Sequence, residues 1–431
     1  MKKVRKPASK TDQKMMRKKD ETIVFFRGIG SAMTLAAAAE KQGRRIEMTD
    51  LSPIENAAMI VKDGRIIACG PEKELAKKKA LLKKAREVDL KGRTILPAFS
   101  ECHTHLIFAG NRAGEFERRN QGESYQSIAR SGGGILATVE PTRATKEKDL
   151  AKVGQRRADR FLRQGVTTIE AKSGYGLDVE TEFKMLKAAG TVRGPRIVRT
   201  FLGAHAIPKD FASAEAYINH LIAEALPRLK GEGHACRVDI FVEDGYFNSA
   251  VSKKYLQAAK EMGFDLVVHA DQLTRSGGAA LAVELGARSA DHLIQVNDHD
   301  VKALAKSDVT CVLLPSSDLY MNCAYPPARK MIEAGARVAL ATDFNPGSCP
   351  SQDLALVGVL ARIQMKMSLA QVISAYTVGA AYALGFGREL GALTEGRKAD
   401  FSVLDGDHQE LFLEIGRMPI SEVYREGERL V

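Results

Sequence analysis

The feature that most constrains this chain is an alternation. Between residues 95 and 343, short β-branched and apolar runs are separated by stretches with helical spacing. The opening run is Ile95 to Glu101, and the others are Val166 to Glu170, Ile197 to Leu202, Val238 to Glu243, Leu266 to His269, Arg288 to His292, Val309 to Leu314 and Val338 to Asp343. The helical stretches fall near 145–164, 178–192, 213–230, 250–263, 275–286, 297–307 and 327–335. Eight strands, each followed by a helix, are the arithmetic of a (β/α)8 barrel, an α/β fold of TIM type.

Outside that span the text changes. Residues 21–94 carry Thr22 to Phe26, Ala57 to Val61 and Arg65 to Ala68, the last two split by the turn Lys62-Asp63-Gly64. Strand-like text returns after residue 390, in Asp400 to Leu404 and Ile420 to Tyr424. The simplest reading pairs the two ends into one small composite β-sandwich, 21–94 with 390–431, flanking a barrel over 95–389. Lys77 to Arg86 reads as one exposed helix. Gly28-Ile29-Gly30 has Met33 where a dinucleotide loop needs its third glycine, so that motif is not met. The long segment Leu106 to Pro141, with Gly132-Gly133-Gly134, has the length of a lid or substrate loop, and its glycines serve either as a plain turn or as an anion cradle.

Charge has to be located before it is interpreted. Nine Lys/Arg stand against Asp12 in residues 1–19, a net of +8, so only +3 of the chain's +11 remains for the rest. The tail, 1–20, is expected to be disordered, either a solvated arm or residues ahead of a start at Met15 or Met16. It has no interleaved aromatics, so neither nucleic acid nor a membrane is the expected partner. No window approaches the length of a membrane helix, and the six cysteines form no C-x-x-C pair. A cytoplasmic protein with reduced thiols is expected.

In such a barrel the working groups stand at the C-terminal ends of the strands. Those ends collect His103 and His105, Glu170 with Lys172, His205, Glu243, His269, His292, Ser316 with Ser317, and Asp343. Five of the nine histidines gather there, which random scatter would rarely produce. His103 and His105 are one residue apart, and in an extended strand residues i and i+2 face the same side, so both imidazoles can meet one metal ion. His220, His234, His299 and His408 fall in helices or loops and receive no role.

With these residues in place, the chain resembles the amidohydrolase superfamily: His-x-His on the first strand, histidines ending the fifth and sixth, and an aspartate ending the eighth. The finer text resembles the branch that opens the ring of 4-imidazolone-5-propanoate to N-formimidoyl-L-glutamate in histidine degradation. The carrying stretches include Cys102 to Arg112, Ser131 to Ile135, Lys172-Ser173-Gly174-Tyr175-Gly176, Gly203 to Ala206, His269-Ala270-Asp271-Gln272, Ala290 to Leu293 and Thr342 to Ser348. The resemblance implies His103, His105, His269 and Asp343 as ligands of one divalent or trivalent ion, zinc or iron. It implies Arg112, Tyr175, His205, Gln272, Asn345, Gly347 and Ser348 around a small-molecule substrate, and His292, Asp343 and Gln272 at the reacting bond. Either His292 or Asp343 would move the proton, and Gln272, which has none to release, would orient the substrate. Arg112 offers a planar fork for the propanoate carboxylate; a solvated loop arginine is the alternative. Tyr175 faces the mouth or else belongs to the core.

Two departures refine the expectation. Dinuclear members carry a bridging lysine at the end of strand four, where this chain has Glu243-Asp244, so one metal is expected. Deaminases carry a glutamate where this chain has Gln272, so a ring-amide hydrolase fits better, with another mononuclear cyclic-amide hydrolase or an aromatic deaminase as the alternative. Members of the superfamily are often homodimers.

Overall fold

The computed structural model describes residues 22–124, 127–128 and 131–431. The basic tail lies outside the described residues. Fifteen strands among these form two sheets. The smaller is made from both chain ends: β1 (Ile23–Met33), β2 (Pro53–Lys62), β3 (Arg65–Pro71) and β4 (Arg86–Pro97) join β13 (Phe401–Leu404), β14 (Ile420–Arg425) and β15 (Glu428–Arg429). They are hydrogen-bonded as one seven-stranded sheet in the order β15-β14-β13-β4-β1-β2-β3.

Period-two alternation gives this sheet two apolar faces. Val24 and Phe26 on β1, with Ala57, Met59 and Val61 on β2, pack with Phe401, Val403 and Tyr424 from the other chain end. Their neighbours Ile23, Phe25, Ala58 and Ile60 turn the other way, onto Leu75. An aromatic trio locks the two ends together: Phe26 meets Phe401 edge-on at 4.9 Å, and Phe401 stacks on Tyr424 at 4.5 Å.

The region expected as one helix, Lys77 to Arg86, holds only a single turn, Lys79–Leu82, preceded by another at Glu72–Leu75, and Arg86 already opens β4. Lys79 and Lys83 stand four apart with like charge, and the leucines that could hold a longer helix are spent within one turn. Gly28-Ile29-Gly30 is a bulge inside β1. A Cβ on Gly30 would lie 2.1 Å from the carbonyl oxygen of Gly92, so glycine is there to let two strands approach.

The larger sheet runs β5 (Phe99–Glu101), β6 (Val166–Lys172), β7 (Arg196–Ala204), β8 (Arg237–Val242), β9 (Asp265–Ala270), β10 (Ser289–His292), β11 (Thr310–Leu313) and β12 (Arg337–Leu340), in that order and all parallel. Closure between β12 and β5 comes from residues just past both: Thr104 bridges Phe344, and the His105 N–H donates to the Phe344 carbonyl at 2.8 Å. Helices such as Glu147–Leu162, Val179–Gly190 and Ser249–Glu261 follow the strands, and Leu354–Ile363 follows the last. This is the expected barrel. Its strands read as near-continuous apolar runs because parallel strands under helices are buried on both faces.

Between β4 and β5 the chain passes from one sheet to the other with no linker. Ile95, Leu96 and Pro97 pair with β13, and the Phe99 N–H already bonds the Gly165 carbonyl beside β6. Among the described residues, no helix is long and apolar enough to cross a membrane.

Candidate metal and substrate site

β5 is short and ends at Glu101, so His103 and His105 sit in the extended segment beyond it rather than in the strand itself. The segment is held straight at the residue between them. Thr104 donates its hydroxyl to the Glu170 carbonyl at 2.6 Å and accepts the Lys172 N–H at 2.9 Å. With Thr104 fixed on one side, the two imidazoles face the other, their centroids 5.7 Å apart.

Four more groups converge there. His269 lies within β9, its ring 4.6 Å from that of His103. Asp343 stands past the end of β12, its Oδ1 3.4 Å from His103 Nε2 and 3.8 Å from His105 Nε2. His292 closes β10 and lies 5.4 Å from His269, ring to ring. His205 stacks on His105 at 5.0 Å with its Nδ1 on the Gly174 carbonyl. His292 and Asp343 both adopt positive φ, 78° and 54°, a region that costs non-glycine residues energy and that clusters where side chains must be aimed.

The donor set suits a metal ion. Ligand atoms of His103, His105 and Asp343 lie within 4.8 Å of one another, as do those of His103, His269 and His292, and of His105, His205 and His269. His103 and His269 carry the clearest sign. Each has Nδ1 tied to a buried carboxylate, His103 to Asp291 Oδ2 at 2.6 Å and His269 to Asp239 Oδ2 at 3.0 Å. In each the buried Nε2 has no hydrogen-bond partner. An imidazole fixed by a carboxylate on one nitrogen and presenting the other is the usual state of a metal-bound histidine.

Electrostatics follow from enclosure. Burial lowers the imidazoles of His205 and His292 to about 3, and His269 adds to the effect at both. Burial also acts on His103, but Asp291 and Asp343 outweigh it and hold its imidazole up at about 9. Asp343 is held far below the usual carboxylate range by His103 and the other imidazoles, against the effect of burial.

Above the histidines is a pocket lined by Arg112, Tyr175, Gln272, Asn345 and Ser348 together with Ile135, Phe241 and Met321. Tyr175 is 2% exposed and meets His105 edge-on at 5.3 Å, so it belongs both to the core and to the pocket wall. Arg112 is 6% exposed, braced by Glu115 at 2.9 Å, and is no solvated loop arginine. Gly347 stands behind it rather than in the pocket wall: a Cβ there would lie 2.0 Å from the guanidinium carbon. Asn345 spends its side chain locally, donating to the Asp343 carbonyl and Ser348 Oγ and accepting from the amides of Gly347 and Ser348, which braces the turn carrying Asp343. Glu243 faces away from the histidines and accepts the Leu273 and Thr274 amides, anchoring the loop that carries Gln272. In the triple glycine, Gly133 donates to the Ile128 carbonyl and Gly134 to Glu115 Oε1, the bonds of a turn.

Lys172 is counted among the strand-end residues without a role of its own, and Asp239 and Asp291 are given none, yet all three sit directly beneath the histidines. Their signal was present: charged residues interrupting runs that should be wholly apolar, as in Val238-Asp239-Ile240, are paired inside or not tolerated.

The chain belongs to the amidohydrolase family, whose model matches residues 94–430. Among solved structures it is similar to a zinc-bound adenosine deaminase from Xanthomonas campestris (TM-score 0.69, 18% identity, 94% of this chain and 92% of that one) and to a triazine hydrolase variant (TM-score 0.72, 18% identity, 95% and 94%). Within the family it groups with the imidazolonepropionases. That of Bdellovibrio bacteriovorus is 53% identical over 407 residues, 94% of this chain and 96% of the relative, and that of Symbiobacterium thermophilum is 40% identical over 423 residues, 96% and 98%.

Proposed function

We propose that this chain hydrolyses the ring amide C–N bond of 4-imidazolone-5-propanoate to give N-formimidoyl-L-glutamate, using one zinc or iron ion held by His103, His105, His269 and Asp343. The observation that carries the reading is the pair of enclosed Nε2 atoms on His103 and His269, the first turned toward Asp343 Oδ1 at 3.4 Å and neither with a hydrogen-bond partner, while each Nδ1 is pinned on a carboxylate. An ion bound there would acidify a water and polarise the ring carbonyl.

The residues divide the remaining work. Arg112 meets the propanoate carboxylate with its planar fork, and Glu115 sets the angle of that fork. Tyr175, His205 and Ser348 fix the ring, Asn345 and Gly347 hold the wall in shape, and Gln272 orients the substrate without exchanging a proton. His292, kept neutral by burial, and Asp343 are placed to take a proton from the attacking water and hand it to the departing ring nitrogen. Deep burial of these groups keeps bulk water out and strengthens each interaction. The same reading takes the protein as cytoplasmic, in keeping with its composition, and the resemblance is to a superfamily whose members are often homodimers.

The test is direct. Purified protein reconstituted with zinc or iron should consume the imidazolone and release N-formimidoyl-L-glutamate, and His103→Ala and Asp343→Ala should lose both the metal and turnover. Turnover that survives exhaustive chelation and the His103→Ala change would end this reading.

A further inference from the structure

Beneath the pocket floor sits a cation that the proposed reaction does not use. Lys172 ends β6 and is fully enclosed; its ammonium lies 2.8 Å from Asp239 Oδ2, 2.8 Å from Glu170 Oε2 and 3.5 Å from Asp291 Oδ2. The oxygens it meets on Asp239 and Asp291 are the ones that face His269 Nδ1 at 3.0 Å and His103 Nδ1 at 2.6 Å. Glu170 and Lys172, two apart on β6, point the same way, while Asp239 lies on β8 and Asp291 on β10. These are alternate strands, and alternate strands compose one interior layer of a barrel. A single ammonium therefore joins the carboxylates behind two of the four candidate ligands.

We infer that Lys172 is a positioning residue for the metal site, an inference that rests on His103 and His269 being ligands. Its ammonium, within reach of both Asp239 and Asp291, fixes where the oxygens that face the two imidazoles lie. Each carboxylate then accepts the Nδ1 proton of its histidine and turns the Nε2 lone pair toward the ion. Without the ammonium, three carboxylates would share a dry interior with only Arg237, whose Nη2 lies 3.4 Å from Glu170 Oε1. The point that holds Asp239 Oδ2 and Asp291 Oδ2 in one layer would be gone. Each carboxylate is then free to swing, and the imidazole it braces loses the orientation that aims its Nε2 at the ion. A lysine that merely neutralised buried charge would have no such effect on the metal once that charge was balanced in another way.

That difference is measurable. Lys172→Met alone leaves the layer one cation short and is compared with Lys172→Met/Glu170→Gln, which restores the charge while leaving Asp239 and Asp291 intact. Glu170 touches neither histidine, so the double variant keeps the fold, checked by circular dichroism, but removes the shared ammonium. Cobalt(II) affinity by chelator competition should fall about 10- to 100-fold, the effect typical of losing support behind a metal-bound histidine, and the visible spectrum of the cobalt protein should shift. A folded double variant with affinity within twofold of wild type and an unchanged spectrum would overturn the inference. Should wild type itself fail to hold cobalt, it is the metal-site reading that falls instead.

Discussion

His103 Nδ1 lies 2.6 Å from Asp291 Oδ2, with both side chains fully enclosed. The contact crosses the barrel interior from the segment after β5 to β10, and it decides which imidazole nitrogen faces the pocket. Asp291→Asn keeps the shape but lets the amide present a donor to the ring. Metal affinity should drop about 10- to 100-fold, read by competition with a chelator, while the melting temperature of the metal-free protein changes little.

Arg112 and Gly347 form a second testable pair. Arg112→Ala removes the carboxylate fork and should raise KM by about 10- to 100-fold, the range of one charge-assisted hydrogen-bonded pair, with metal content unchanged. Gly347→Ala puts a methyl group 2.0 Å from the guanidinium carbon, so the arginine must move and KM should rise in the same direction. Steady-state kinetics on metal-replete protein decide it, and an unaltered KM in both variants would remove Arg112 from substrate binding.

Two buried imidazoles set the pH response of binding. Burial lowers His205 and His292 from the ordinary 6.5 to about 3, so both stay neutral as pH falls from 8 to 5.5. The dissociation constant of an unreactive carboxylate analogue of the substrate should therefore stay flat across that range. A tenfold weakening per pH unit below 6.5 would mean that a pocket histidine titrates at its ordinary value.

The aromatic trio in the small sheet should matter to stability rather than to chemistry. Phe401→Ala empties the space between Phe26 and Tyr424 and should cost about 3–5 kcal/mol, seen as a lower denaturation midpoint with kcat unchanged at moderate temperature.

The barrel was legible because each buried strand announces itself as a β-branched run and ends on the residue it delivers: His269, His292 and, just past its strand, Asp343. The pocket residues came from a resemblance carried by contiguous text such as Lys172 to Gly176. The layer below was not legible. Lys172, Asp239 and Asp291 are far apart in sequence, and their partnership depends on which strands alternate around a closed cylinder. The region around Lys77 to Arg86 misled for a different reason, because basic residues resemble an exposed helix face whether or not an apolar stripe exists to hold one.

The direct passage from β4 into β5 ties the joint between the chain ends to the histidines. Ile95, Leu96 and Pro97 are gripped by Phe401, Ser402 and Val403, and only a few peptide bonds later the same backbone delivers His103. A disturbance at the seam between the two chain ends is therefore carried along one short stretch of backbone to the first two imidazoles.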